Sequence, residues 1–331
     1  MEGPPLSDER ASDEHAPGDA AGRLPGWLAR IQRARRLPRR ARGVVLLVAT
    51  VATAVAAVIA AQRLELTLDA LVWWPLVVAA VVVTPLTIAL NAAELKAMAT
   101  AVAERPRTLS WPVATRTVVL ATAANLLPVP AGAVIRVQVL RRAGATIPRA
   151  AGITLVAAGV WVGVSLLFAG SAAFGRDPIV GALGVAMGLT ATLVSLAGVA
   201  ALAGRRWRRG SGELTVVEVA TALLHAVRLW LVLLGLGVTA DLGQALIIGT
   251  ASPLAAAAGF FPGGIGLAEL LGALLAPIAG LAAAAALLAV AVGRVLGLAF
   301  TMPIALALGV TDLTKPEPDV DELTGLDPEA R

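Results

Sequence analysis

The chain has 331 residues, 58% of them hydrophobic, with a mean hydropathy of +0.82. Runs of about 20 apolar residues at that hydropathy exclude a soluble globular domain and predict an all-α polytopic membrane protein. The absence of cysteine excludes disulfides, thiolate metal sites and cysteine nucleophiles, and His15 and His225 are too few for a histidine-based metal cluster.

The net charge of +5 is unevenly placed. Residues 1–22 are acidic and rich in Pro, Gly, Ala and Ser, a composition that predicts a disordered tail. Residues 23–42 carry eight arginines, from Arg23 to Arg42, and an apolar run begins at once after them. That order predicts a cytoplasmic juxtamembrane anchor against anionic lipid, with no role for nucleic acid. The expected membrane domain is 43–311, in halves 43–171 and 179–311, followed by an acidic disordered tail at 312–331.

In chain order, the first span is expected at 43–61 and the second at 71–90, running to Glu94. Residues 91–112 mix charged and apolar side chains and predict an amphipathic interfacial elbow. Two short apolar arms follow, 113–127 and 131–140, around Asn125-Leu126-Leu127-Pro128-Val129-Pro130-Ala131-Gly132. Each is too short to cross, so the pair predicts a re-entrant hairpin. Spans are then expected at 150–168, 179–203 and 214–238. A second hairpin is expected from 242–260 and 265–279 around Phe261-Pro262-Gly263-Gly264-Ile265-Gly266. The last span, 281–310, is overlong, with Gly293, Arg294 and Pro303 as expected interruptions.

Proline removes a backbone donor and glycine loosens the helix, so the backbone must open at both breaks. In a bilayer, opened backbone survives only where protein or a watery cavity covers it. Pro128/Gly132 and Pro262/Gly266 share the spacing P-x-x-x-G and lie 134 residues apart. Each half holds three spans and one broken hairpin, so the second half enters from the opposite side. Six spans and two hairpins then form an inverted repeat, the layout of many secondary transporters, with the site at the midplane. Eight full spans are the alternative. The cationic loops 96–116, 141–149 and 205–209 fall on one side in the hairpin layout, which places both termini in the cytoplasm.

Charged residues at membrane depth mark function. Arg136 and Glu269 follow the two breaks by eight and seven residues. His225 and Arg228 lie mid-way in the fifth span, sharing a face with Glu218, and Arg294 lies in the sixth. The expected site is a cavity in which Arg136, Arg228 and Arg294 attract an anion and Glu269 is the counter-ion. His225 is either a proton-coupling or a packing residue. Pro128, Gly132, Pro262, Gly263, Gly264 and Gly266 would line it, and freed N–H groups at the second break would also face an anion. No catalytic order, metal cluster, cofactor motif or nucleotide loop is legible, so no enzyme is expected.

The motifs Asn125-Leu126-Leu127-Pro128 with Gly132 and Arg136, and Pro262-Gly263-Gly264-Ile265-Gly266 with Glu269, resemble the lysylphosphatidylglycerol synthase transmembrane, or flippase-like, family. The latter motif is similar to that family's P-G-G-x-G-x-x-E. The resemblance implies an inner-membrane protein that moves, or helps move, a lipid or lipid-linked substrate between leaflets. The expected partners are anionic phospholipids or polyprenyl-phosphate-linked lipids, with a homo-oligomer left open. The family carries Arg and Glu where this chain has Pro130 and Ala133. It also carries an acidic–basic pair where residues 156–161, including Ala157 and Ala158, are apolar here. The head group those charges select is therefore not implied. Two other functions fit the same residues. One is a proton-coupled small-solute transporter. The other is a non-catalytic membrane partner of a lipid or cell-envelope glycan enzyme.

Overall fold

The computed structural model describes residues 71–102, 109–125, 131–204, 207–258 and 264–313, with Val55, Val58, Ile59, Gln62 and Asp69 singly. The N-terminal tail, the Arg23–Arg42 segment, most of the expected first span, Pro128, Pro262, Gly263 and residues 314–331 lie outside the described residues. Every regular element described is helical, and five helices are long and apolar enough to cross a membrane. The chain is an all-α, multi-pass membrane protein.

Helix α1 is Trp73–Val102. It widens into a π-helical turn at Ala79–Val83, one residue short of Pro85. Proline has no N–H and its ring clashes with the carbonyl four residues earlier, so a widened turn relieves both problems. The Thr84 hydroxyl fills the gap by donating to the Ala79 carbonyl at 3.0 Å. Residues 91–102 correct the elbow expectation. They are the last three turns of α1, and Ala92, Leu95, Met98 and Ala99 are buried. A helix whose apolar residues fall at this spacing gains more by packing than by lying at an interface.

Helices α2 (Trp111–Ala124) and α3 (Ala131–Arg142) pack on each other as a short pair. At 14 and 12 residues, they span about 21 and 18 Å, well short of the hydrocarbon core. Gly132 is what allows their closeness, since a Cβ there would lie 2.7 Å from the Ala121 carbonyl and nearer still to the Asn125 side chain.

Among the described residues, helices α4 (Ile147–Ala173) and α5 (Pro178–Ala203) form the most extensively packed pair. Asp177 starts α5 by accepting from the Ile179 and Val180 N–H groups at 3.0 and 3.1 Å. The pair is held by backbone contact. A Cβ at Gly163 would meet the Thr192 nitrogen at 2.6 Å, and one at Gly170 would meet the Val185 nitrogen at 2.4 Å. Small residues that let backbones touch replace the hydrophobic effect, which lipid does not supply between helices. Ile179, Leu183, Met187 and Val194 of α5 are exposed along one face, as suits a helix against acyl chains.

Helix α6 (Trp207–Gly235) runs through the centre and touches α1, α4, α5, α7 and α10. Asp241 and Gln244 then form a reciprocal cap at 2.8 Å each and open α7 (Leu242–Gly249). Helix α8 (Ala251–Ala258) follows a break at Thr250, and α9 is Leu267–Ala279. The Gln244 amide donates to the Ala279 carbonyl at 2.9 Å, tying the start of α7 to the end of α9. Helix α10 (Ala283–Leu313) is continuous through Gly293, Arg294 and Pro303, so the expected interruptions do not break it.

The apolar interior has two centres. One is built by the second half of α1, α2, the first half of α4 and the start of α6, around Leu95, Val118, Ile153 and Leu214. The other joins the end of α6 to α7, α9 and α10, around Leu229, Leu233, Ile248 and Ala289. Each centre holds one short-helix pair, and each carries one charged cluster.

Candidate functional site

The first cluster lies in the α1–α3 centre. Arg136, two turns into α3, donates to both Glu94 carboxylate oxygens at 3.1 and 3.3 Å and to Asn91 Oδ1 at 3.4 Å. Asn91 is held for this by donating its amide to the Thr87 carbonyl at 2.8 Å, which turns its oxygen toward the guanidinium. Glu94 and Glu218 are both buried, and Glu218 on α6 acts electrostatically on Glu94 and Arg136. One carboxylate, Glu94, is paired with the arginine, and a second, Glu218, lies within its electrostatic reach.

The second cluster lies in the α6–α10 centre. Gly264 and Gly266 have φ values of 68° and 82°, in the left-handed region where a Cβ is strained. The chain turns there into α9, whose third residue is Glu269. Its carboxylate accepts from the Gly266 N–H at 2.8 Å and pairs with Arg294 of α10 at 3.1 Å. Arg294 also donates to the Gly264 carbonyl at 3.2 Å. One ion pair thus clamps both sides of the glycine turn.

Arg228 donates to His225 Nδ1 at 3.3 Å, because a guanidinium has only donors to offer. That contact assigns the ring proton to Nε2. Neither His225 Nε2 nor Arg228 Nε has a hydrogen-bond partner among the described residues, and both atoms are buried. Room for the two side chains comes from glycines on neighbouring helices. A Cβ at Gly249 would sit 3.6 Å from the imidazole, and one at Gly297 would sit 3.5 Å from the guanidinium. His225 also lines a small cavity with Ser165, Ala222, Leu246 and Gly249, of a size for about one water molecule.

The expected residues are therefore divided between two levels. His225 and Arg228 adjoin one another, Arg294 lies close enough to act on Arg228, and Glu269 pairs with Arg294. Arg136 belongs to the other cluster. Ten residues separate Glu218 from Arg228 on α6, about 15 Å along the helix, so the single cavity expected from the sequence is two sites.

The 134-residue offset between the two breaks carries Glu94 onto Arg228 and brings Arg136 to within one residue of Glu269. The repeat keeps the positions and reverses the signs. One cluster has an excess acid and the other an excess base. Glu94 and Asn91 are site residues that the sequence alone assigns to an interfacial elbow. The repeat offset is the sequence signal that marks Glu94.

No family model, curated protein or solved structure matches the chain.

Proposed function

We propose that this membrane protein translocates the phosphate-bearing head group of an anionic lipid between leaflets, and that His225, Arg228 and Arg294 receive it. The observation that carries this reading is the pair of buried donors, His225 Nε2–H and Arg228 Nε–H, that have no acceptor among the described residues. An unpaired buried donor costs about 1–3 kcal/mol, and more for a charged group, so such groups are kept where a ligand completes them. An arginine fork matches phosphate oxygens in pairs, and the local charge of two arginines against one carboxylate is positive. Glu269 holds Arg294 between visits of the head group, so the ion pair and the ligand compete for one guanidinium.

The motif resemblance supports a lipid over a free anion, as does the placement of the donors inside a 25-residue span, Ser211–Gly235. In this reading the two short-helix pairs are inverted hairpins, the membrane is the cytoplasmic one and both termini face the cytoplasm. The chain acts as a carrier and not as an enzyme.

The test is translocation of fluorescent phosphatidylglycerol in proteoliposomes, read by quenching with a membrane-impermeant reductant. Arg228→Gln should abolish the protein-dependent movement, and Glu269→Gln should slow it in folded protein. A polyprenyl phosphate added as competitor distinguishes the two lipid classes. Movement that is unchanged in both variants overturns the assignment. Uptake of a small anion without lipid movement supports the solute-carrier function instead. Transport-free rescue in cells that depends on residues 1–40 supports the enzyme-partner function.

A further inference from the structure

The first cluster of charges, on α1, α3 and α6, has no part in binding an anion, and its composition points to a different ligand. Glu94 and Glu218 are 6% and 3% exposed, α6 packs along α1, and one guanidinium, Arg136, pairs with Glu94 and acts electrostatically on Glu218. Arg136 spends its hydrogen bonds on Glu94 and Asn91. Glu218 is buried on α6 with Glu94 and Arg136 as its charged neighbours. A buried carboxylate without a full counter-charge is among the most expensive groups a protein can hold. One further positive charge makes the cluster neutral.

The neighbours of Glu218 restrict what that charge is. Helix α1 brings Glu94 and α3 brings Arg136, while Lys96 of α1 lies over the Trp111 ring at 4.5 Å. Helix α5 has no charged residue, and the charge on α4 is Arg149, in its first turn. The charge on α7 is its cap, Asp241, and Arg294 of α10 is engaged with Glu269 and the Gly264 carbonyl. On α6 itself, Arg208 and Arg209 stand at its start and Glu213 is exposed, while His225 and Arg228 lie seven and ten residues beyond Glu218. A hard metal cation asks for about six oxygens. Here the oxygens are those of Asn91, Glu94 and Glu218, and Arg136 already occupies the first two residues.

We propose that Glu218, with Glu94 and Arg136, is a proton-binding site that couples head-group movement to a proton gradient. It rests on the carrier reading above. Glu218 lies seven residues from Ser211, and Arg228 lies seven from Gly235, so each sits about 10 Å inside its own end of the span. One rigid helix thus carries a proton site toward one face and an anion site toward the other. With Glu218 protonated, Arg136 pairs with Glu94 alone. With the proton gone, Arg136 faces two carboxylates and draws α3, the arm after the first break, toward α6. A ligand shifts an equilibrium by as much as it distinguishes the two states, and the Arg136 contact is what the proton distinguishes.

The experiment uses the full-length protein in vesicles containing fluorescent phosphatidylglycerol. A one-unit pH gradient should drive the labelled lipid toward a leaflet asymmetry of about tenfold for one proton per head group. A protonophore should erase that asymmetry. Glu218→Gln should lose the gradient response and keep downhill exchange, whereas Arg228→Gln loses both. Glu94→Gln is the second variant if Glu218→Gln does not fold, and it should weaken the response. Symmetric lipid under a pH gradient, a full response in Glu218→Gln, or an asymmetry driven by sodium overturns the proposal. Infrared difference spectra on pH titration report the carboxyl directly. A protonated-carboxyl band present in wild type and missing in Glu218→Gln supports the proton site even if no lipid moves. Absence of that band overturns the site while leaving lipid movement intact.

Discussion

The clamp between Glu269 and Arg294 makes an asymmetric prediction. Glu269 is 3% exposed in its side chain and Arg294 is 21% exposed. Removing one partner of a buried pair costs about 3–5 kcal/mol because the other charge is stranded. Arg294→Gln strands the carboxylate, which among the described residues keeps the Gly266 N–H for support, so its cost should reach that range. Glu269→Gln removes a counter-charge from the guanidinium, which is partly exposed and keeps the Gly264 carbonyl among its contacts, and the glutamine oxygen still accepts from Gly266. Its cost should fall to about 1.5–3 kcal/mol, the value of a hydrogen bond to a charged group. The double variant places two neutral amides together and should be more stable than Arg294→Gln alone. Unfolding in detergent with a double-mutant cycle measures all four corners. If the two single costs are reversed in order, or simply add in the double variant, the ion pair is not the clamp of the glycine turn.

Other outcomes follow from the same contacts. Arg136→Gln should destabilise the fold by about 3–5 kcal/mol by leaving Glu94 and Glu218 buried together, and adding Glu94→Gln should restore part of it in the same unfolding assay. Gly266→Ala, at φ 82°, should cost about 1–2 kcal/mol in thermal unfolding, while the same change at exposed Gly212, on the helical backbone of α6, should not destabilise. Gly170→Leu should separate α4 from α5, and cross-linking of cysteine pairs between the two helices should fall sharply, because no side chain fits beside Val185. The chain has no native cysteine, so single thiols report sidedness directly. Val129→Cys should react from the cytoplasmic side and Ile265→Cys from the outer side if the two hairpins are inverted. Labelling of both from one face removes the inverted repeat.

Composition and apolar run length alone determine that this chain is helical and lives in a membrane, since in lipid only helices and closed barrels satisfy the backbone and these runs fit helices. The two proline–glycine breaks, and the charges after them, are legible for the same local reason: each residue's backbone chemistry is its own. Gly264 and Gly266 occupy left-handed positions because nothing else fits there cheaply. Pairing is another matter. Glu94 reads as an interfacial residue until α1 continues to Val102 and presents it to a guanidinium 42 residues away. Arg136 reads as sharing one cavity with Arg228 until the structure pairs it with Glu94 of α1, in the other cluster. A charge's partner depends on which helices lie side by side, and small residues such as Gly163 and Gly170 decide that by letting backbones touch. The sequence determined which residues must be satisfied; the packing of α1, α3, α6, α9 and α10 decided by what, and left His225 Nε2 and Arg228 Nε among the buried atoms without a partner in the described residues.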